Sequence, residues 1–156
     1  MRVAVAFDHR GVRLRDTVVA AVEAARHDVV DLGVDTDAVR VDYPDLARAV
    51  GEAIRGGRAE RGVFVCGSGV GASVAACKLA GIRAAICHDT YSAHQGVEHD
   101  DMNVLTLGAR VIGPEPAYEC ALAFLGATFS GEPRHVRRLD KVLAIEAESM
   151  GPDPVA

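Results

Sequence analysis

Short apolar runs alternate along the chain with longer segments in which apolar residues recur every three or four positions. The short runs predict five β-strands, at 2–7, 28–32, 62–66, 82–87 and 103–107. The longer segments predict helices, at 12–26, 44–55, 70–80, 89–99, 114–125 and 134–149. Because largely apolar strands alternate with helices, we expect an α/β fold: a Rossmann-like, doubly wound sandwich with a five-stranded parallel sheet flanked by helices.

The size and composition of the chain indicate one domain with a sizeable core. The chain has 156 residues, of which 49% are hydrophobic and only 4% are aromatic. Such a chain can bury enough apolar surface to fold as one unit. We therefore expect a single domain over 1–150 and a frayed tail over 151–156.

The charge pattern and the cysteines argue against several classes of protein. The net charge is −5, from 17 basic and 22 acidic residues, so we expect no nucleic-acid partner. We also expect no membrane association, because no apolar run reaches the roughly 18 residues of a bilayer span. The N-terminus has no signal-peptide pattern. The four cysteines form no CxxC pair and no zinc-like spacing with histidine, so we expect free thiols, a cytoplasmic location and no metal.

Polar and reactive side chains follow four of the predicted strands. They are Asp8-His9 after the first strand, CGSGVG at 66–71 after the third, His88-Asp89 after the fourth and Arg110 after the fifth. In doubly wound sheets, ligands bind beyond the carboxyl ends of the strands. The sequence therefore predicts a site at this edge of the sheet.

The segment CGSGVG carries the strongest chemical signal. Its three glycines let the backbone approach a ligand closely, so that several N–H groups and the start of the next helix can hold a phosphate or an oxyanion. A glycine-rich turn that serves only packing is the alternative. A dinucleotide fingerprint would follow the first strand, and a Walker motif would contain Gly-Lys-Ser/Thr. Neither is present, which argues against a nucleotide-dependent oxidoreductase.

Cysteine, histidine and arginine side chains are candidates for proton transfer and anion binding. Cys66 ends an apolar strand at the glycine-rich turn, where a thiolate is favoured and can remove a proton from a carbon beside a carbonyl. His9 and His99 can move protons near neutral pH. Arg134 and Arg138 are four residues apart and would grip a phosphate together, although a solvated helix end gives the same spacing. The other cysteines are expected to be inert core residues (Cys77, Cys87 and Cys120). The other histidines are expected at the surface (His27, His88, His94 and His135).

Several short motifs in a fixed order resemble one enzyme family. They are Asp8-His9 with Gly11, Asp42-Tyr43-Pro44, CGSGVG, AGIRAA at 80–85, Tyr91-Ser92-Ala93, the stretch from His99 to Gly108, and Arg134 with Arg138. Together they span positions 3 to about 145, and the chain is similar to the type B ribose-5-phosphate isomerases and the related galactose-6-phosphate isomerase subunits. The resemblance implies an aldose–ketose isomerase of a small phosphorylated sugar. It also implies that the enzyme needs no cofactor or metal and is a dimer or tetramer with sites at the subunit interface.

The same resemblance implies a role for each matching residue. Cys66 would move a proton between C1 and C2, Ser68 would assist proton transfer on the sugar oxygens, and His99 would help open the sugar ring. The enediolate would be stabilised by the main-chain amides of Gly67, Gly69, Val70 and Gly71. Sugar hydroxyls would contact Asp8 and Tyr43. The phosphate would be held by His9, Arg134 and Arg138, with help from Arg110 of the neighbouring subunit.

One position departs from the family pattern and leaves the sugar open. The family usually has Asn in the substrate-binding position that Asp100 occupies here. An ionised Asp cannot donate a hydrogen bond and repels a nearby oxyanion, but it can accept one from a hydroxyl. Ribose 5-phosphate and ribulose 5-phosphate are the favoured pair. Erythrulose 4-phosphate, allose 6-phosphate and galactose 6-phosphate remain alternatives, as does a phosphosugar-binding module without catalytic activity.

Overall fold

The five expected strands form one parallel sheet in the described part of the chain. The computed structural model describes residues 1–150, and the tail expected at 151–156 lies outside the described residues. The strands are β1 (Arg2–Phe7), β2 (Asp28–Asp31), β3 (Arg61–Cys66), β4 (Ala84–Ile86) and β5 (Val104–Gly108). Their order across the sheet is β2-β1-β3-β5-β4, and every pairing is parallel. The expected Rossmann-like α/β architecture is confirmed.

Helices connect the strands as the periodic segments predict. A short 3-10 turn at Val12–Leu14 precedes the first α-helix. The α-helices are α1 (Arg15–Ala24), α2 (Tyr43–Arg55), α3 (Val70–Ala76), α4 (Thr90–Asp100), α5 (Pro114–Gly126) and α6 (Pro133–Met150). None of these helices is both long and apolar enough to cross a bilayer.

Three elements are clearly shorter than their sequence patterns predict. Helix α1 is expected over 12–26, but residues 12–14 form the 3-10 turn and the α-helix ends at Ala24. Helix α3 ends at Ala76 rather than near 80, because the chain then turns through the N–H bonds of Lys78 and Leu79 to Ala75 and Ala76. Strand β4 begins only at Ala84. The N–H of Arg83 donates to the side-chain oxygen of Asn103 at 2.8 Å. This N–H therefore bonds to a side chain rather than to the backbone of β5, and the strand pairing starts at the next residue.

Apolar side chains cover the sheet on both faces. On one face, Val5, Phe7 and Leu107 belong to a buried cluster with residues of α1, α4 and α5. On the other face, Phe64 and Cys66 belong to a second buried cluster with residues of α2 and α3. Successive residues of a strand point to opposite faces, so the same short runs supply both clusters.

Arg61 ties the last part of α5 to the amino end of β3. Its guanidinium donates to the carbonyl oxygens of Phe124 at 2.6 Å and Ala127 at 2.9 Å, and it lies 5.3 Å from the centre of the Phe124 ring. The segment that leads into α6 therefore starts from the amino edge of the sheet.

Gly11 should be intolerant of any side chain, because its backbone packs against β3. A Cβ at this position would lie 2.0 Å from the carbonyl oxygen of Val65. We predict that Gly11→Ala lowers the free energy of unfolding by about 2 kcal/mol or more. Gly126→Ala is the matched control, because a Cβ at that position meets nothing within 4 Å. Denaturant unfolding of both variants tests the prediction, and equal midpoints would contradict it.

Candidate active site

Cys66 lies at the carboxyl end of β3, at the start of a turn that we call the glycine turn (residues 67–71). The residue is 4% exposed, and its Sγ accepts the N–H of Gly69 at 3.2 Å. The strand pairing places Cys66 beside Gly108 of β5. The thiol and the glycine turn are therefore adjacent, as the sequence predicts.

The glycine turn is held by backbone contacts with the end of β5. The N–H groups of Ala109 and Arg110 donate to the carbonyl oxygens of Cys66 and Gly67, both at 2.9 Å. Gly69 has φ +82°, and a Cβ there would lie 3.1 Å from the carbonyl carbon of Leu107. Only glycine fits position 69 without strain.

Several donors of the glycine turn remain available to a ligand. The N–H of Val70 donates to Ser68 Oγ at 3.3 Å. Among the described residues, the N–H groups of Gly67, Ser68 and Gly71 donate no hydrogen bond. Such a group of unpaired main-chain donors can hold an anion.

Asp8 and His9 lie next to this turn at the end of β1. Asp8 is 4% exposed, and its Oδ1 accepts the N–H groups of Arg10 at 2.8 Å and Gly11 at 2.7 Å. Its Oδ2 accepts no hydrogen bond from a described residue and can therefore accept one from a sugar hydroxyl. His9 Nδ1 accepts the N–H of Val41 at 3.4 Å, which orients the imidazole toward the loop before α2.

Tyr43 and Arg110 complete this group. A Cβ at Gly71 would lie 2.9 Å from the Tyr43 ring, so the ring packs directly on the glycine turn. Arg110, which we expect to act from the neighbouring subunit, has its backbone beside Gly67 of its own chain. We call Asp8, His9, Tyr43, Cys66, the glycine turn and Arg110 the carboxyl-edge half.

The structure does not bring the other expected site residues to this edge. Helix α4 runs back across the sheet, so His99 and Asp100 lie at the amino edge, close to the start of β5. The carbonyl oxygen of Asn103 there accepts the N–H of Gly62, at the first residues of β3. Since β3 spans six residues, this edge is about 16 Å from Cys66.

His99 is held at the amino edge by neighbouring side chains. Its Nδ1 is 2.7 Å from Gln95 Nε2, and its ring stacks on that of His135 with centroids 4.0 Å apart. His135 Nδ1 is 2.6 Å from Ser130 Oγ. His135 is only 2% exposed, so the expectation that it is a surface residue is wrong. Burial lowers the pKa of His135, and the nearby His99 and Arg134 lower it further.

Arg134 and Arg138 lie on the first turns of α6, beside His135. Arg134 Nε pairs with Glu132 at 2.8 Å, and no described carboxylate pairs with Arg138. Both guanidinium groups are exposed. We call His99, Asp100, Arg134 and Arg138 the amino-edge half.

Two expectations about the remaining cysteines and histidines need correction. Burial raises the pKa of Cys87 and of Cys120 to about 11, in keeping with inert core thiols, but Cys77 is exposed. His88 is not a free surface residue, because its Nε2 accepts the N–H of Gly108 at 2.9 Å. Burial lowers the pKa of His88, against a smaller opposite effect of Asp89.

Arg10 lies beside the carboxyl-edge half, and the sequence did not single it out as a site residue. A Cβ at Gly67 would lie 3.1 Å from Arg10 Cδ, so the arginine stem packs on the glycine turn. Its position directly after Asp8-His9 was the available signal.

Within residues 1–150, no three His, Cys, Asp or Glu side chains are grouped closely enough to hold a metal ion.

Comparisons with known proteins agree on one family. Residues 3–142 match the sequence profile of the Ribose/Galactose Isomerase family. Ribose-5-phosphate isomerase B of Escherichia coli is 41% identical over 145 residues, which are 93% of this chain and 96% of that protein. D-erythrulose-4-phosphate isomerase of Pectobacterium atrosepticum is 39% identical over 131 residues, or 84% of this chain and 86% of that protein.

Solved structures show the same similarity in three dimensions. Type B ribose 5-phosphate isomerase of Trypanosoma cruzi superposes with a TM-score of 0.91 at 42% identity, covering 95% of this chain and 99% of that chain. Ribose-5-phosphate isomerase B of Mycoplasma genitalium, with bound ribulose-5-phosphate, superposes with a TM-score of 0.85 at 33% identity. That match covers 93% of this chain and 95% of the other.

His88 should make folding stability fall as the pH falls below about 6.5, the ordinary pKa of histidine. Its neutral Nε2 accepts the Gly108 N–H, so its pKa in the folded chain is lowered and the unfolded chain takes up the proton first. The contribution of neutral His88 to the free energy of unfolding is complete above pH 6.5. It declines as the pH falls toward the pKa of His88 in the folded chain. His88→Gln keeps an acceptor without titrating, so it should lose less stability than wild type between pH 7 and pH 5.

Thermal melts across this pH range test the effect of His88. His94→Gln is the control, because His94 is exposed and its one ion pair within residues 1–150 is with Glu98 of its own helix. An equal loss of stability in wild type and His88→Gln would contradict the role of His88.

Proposed function

Since the chain belongs to the ribose/galactose isomerase family, we propose that it interconverts ribose 5-phosphate and ribulose 5-phosphate at a site built from two chains. The chain is an aldose–ketose isomerase of phosphorylated sugars, the activity for which its relatives are named. The observation that carries the proposed chemistry is the hydrogen bond from the glycine turn to the Cys66 sulfur, beside three main-chain N–H groups that donate to no described residue.

Cys66 is the base in this proposal. Its thiolate removes the proton from C2 of the open-chain aldose, and the electron pair forms the C1–C2 double bond and moves charge onto O1. The free N–H groups of the glycine turn stabilise this enediolate. Ser68 passes the O2 proton to O1, and Cys66 returns its proton to C1, which yields the ketose. No cofactor is required, because every proton that leaves the sugar returns to it.

The carboxyl-edge half also holds the sugar chain. The unpaired Oδ2 of Asp8 accepts a hydrogen bond from a sugar hydroxyl, and Tyr43 lies beside the glycine turn where it can contact another. In this proposal His9 and Arg110 contact the phosphate end of the substrate. Arg110 then acts from the chain that carries Cys66, where its backbone lies beside Gly67, and not from the neighbouring subunit as the family resemblance implies. A phosphate held away from the reacting carbons supplies binding energy and orients the sugar.

The missing parts of the site come from a second chain in this proposal. His99 opens the sugar ring, and Arg134 and Arg138 grip the phosphate, yet all three lie at the opposite edge from Cys66 of the same chain. We therefore propose a homodimer in which the amino-edge half of one protomer faces the carboxyl-edge half of its partner. A tetramer that contains such dimers is the alternative.

Exposed apolar side chains support this assembly. Val70 and Val74 of α3 are 52% and 57% exposed, and Tyr91 at the start of α4 is 74% exposed. Val142 and Ile145 of α6 are 51% and 62% exposed. Apolar surfaces beside both halves are typical of surfaces that a protein partner covers. Four free thiols support a reducing compartment, and we propose the cytoplasm.

Isomerisation rates on four-, five- and six-carbon aldose phosphates test the proposed substrate. We expect the highest kcat/KM for ribose 5-phosphate. Cys66→Ala should lower kcat by about 10²–10⁴-fold, because it removes the base. The affinity of this variant for ribose 5-phosphate should stay within about tenfold of wild type, because Arg134 and Arg138 still bind the phosphate. Cys77→Ala is the control. It removes an exposed thiol at the end of α3 and should behave like wild type.

Each arm of this experiment can overturn one part of the proposal. A higher kcat/KM on a four- or six-carbon sugar would refute the substrate assignment, and Asp100→Asn in the same assay would then show whether the carboxylate sets the chain length. Near wild-type turnover of Cys66→Ala would mean that another group is the base.

A further inference from the structure

The side chain of Arg10 lies across the first residue of the glycine turn. A Cβ at Gly67 would be 3.1 Å from Arg10 Cδ, 3.7 Å from its Cβ and 3.9 Å from Nη1. Three atoms of the arginine, from the stem to the guanidinium, therefore lie within 4 Å of the position that a side chain at residue 67 would take. The guanidinium lies next to the residue that directly follows Cys66.

The backbone of Arg10 is anchored on both sides. Its N–H donates to Asp8 Oδ1 at 2.8 Å, and Asp8 is itself buried. The next residue, Gly11, packs so closely on Val65 that a Cβ there would overlap the carbonyl oxygen. Because Val65 immediately precedes Cys66 on β3, the start of the Arg10 side chain has a fixed position relative to the thiol.

The Arg10 guanidinium has no protein partner among the residues that the structure describes. No ion pair and no side-chain hydrogen bond involves it, although the chain has 22 acidic residues. Arg13 is also exposed and has no described partner, so what distinguishes Arg10 is that its side chain packs on the glycine turn. An exposed and unpaired cation beside a group of unpaired main-chain donors favours an anionic ligand at that point.

We propose that Arg10 contacts the substrate at its reacting end and stabilises the negative charge of the enediolate. This inference rests on the proposed function, because it assigns Cys66 as the base and the glycine turn as the oxyanion site. Arg10 then acts from the same chain as Cys66. Arg134 and Arg138 hold the phosphate from the partner, so Arg10 and this pair serve opposite ends of one sugar.

The role at the reacting end makes a specific kinetic prediction for Arg10→Gln. Charge on O1 is greatest in the transition state, so loss of the guanidinium should lower kcat about 10-fold or more while KM stays within about threefold. Arg10→Lys keeps the charge but not the fork of donors and should recover part of kcat. Arg13→Gln is the control, because Arg13 is exposed, carries the same charge and lies outside the site.

Steady-state kinetics with ribose 5-phosphate and thermal melts of the three variants test this inference. A kcat for Arg10→Gln equal to that of Arg13→Gln would overturn it while wild-type turnover still supports the proposed function. A raised KM with unchanged kcat would also overturn it, because that result places Arg10 at the phosphate. If the wild-type protein isomerises none of the sugar phosphates, both the proposed function and this inference are refuted.

Discussion

The direction of α4 separates the two halves of the proposed site. In a parallel sheet, each strand must be followed by a connection that returns the chain to the amino edge before the next strand begins. Residues just after a strand therefore lie at one edge, and residues at the end of the returning helix lie at the other. Cys66 is in the first position and His99 is in the second, so no side-chain movement within one chain brings them together.

The amino-edge half is held in place by contacts within its own chain. Arg83 bonds the carbonyl oxygen of Asp101 at 2.7 Å and its carboxylate at 2.6 Å, which holds the segment after His99. Stacking on buried His135 limits the rotation of the His99 ring. A second protomer would thus receive a preformed group at this edge.

The amino-acid pattern predicts the elements of this fold better than it predicts which side chains meet. Five strands and six helices follow from periodicity, because apolar spacing reports directly on the face that each segment buries. Cys66 and the glycine turn are also predictable, since both follow one buried strand. His88 and His135 are not, because their partners Gly108 and Ser130 reach them only through tertiary packing. The family motifs name His99 and Arg134, but they contain no information about which edge of the sheet each residue occupies.

The most direct measurement of the two-chain site uses a dimer that carries a different defect in each protomer. Cys66→Ala and the double variant Arg134→Ala/Arg138→Ala are produced together with different affinity tags, and the mixed dimer is purified with both. If each site combines the carboxyl-edge half of one chain with the amino-edge half of the other, one site is intact. The mixed dimer should then have about half of the wild-type activity at low substrate, while each parent homodimer has little. A mixed dimer no more active than its parents would contradict the account.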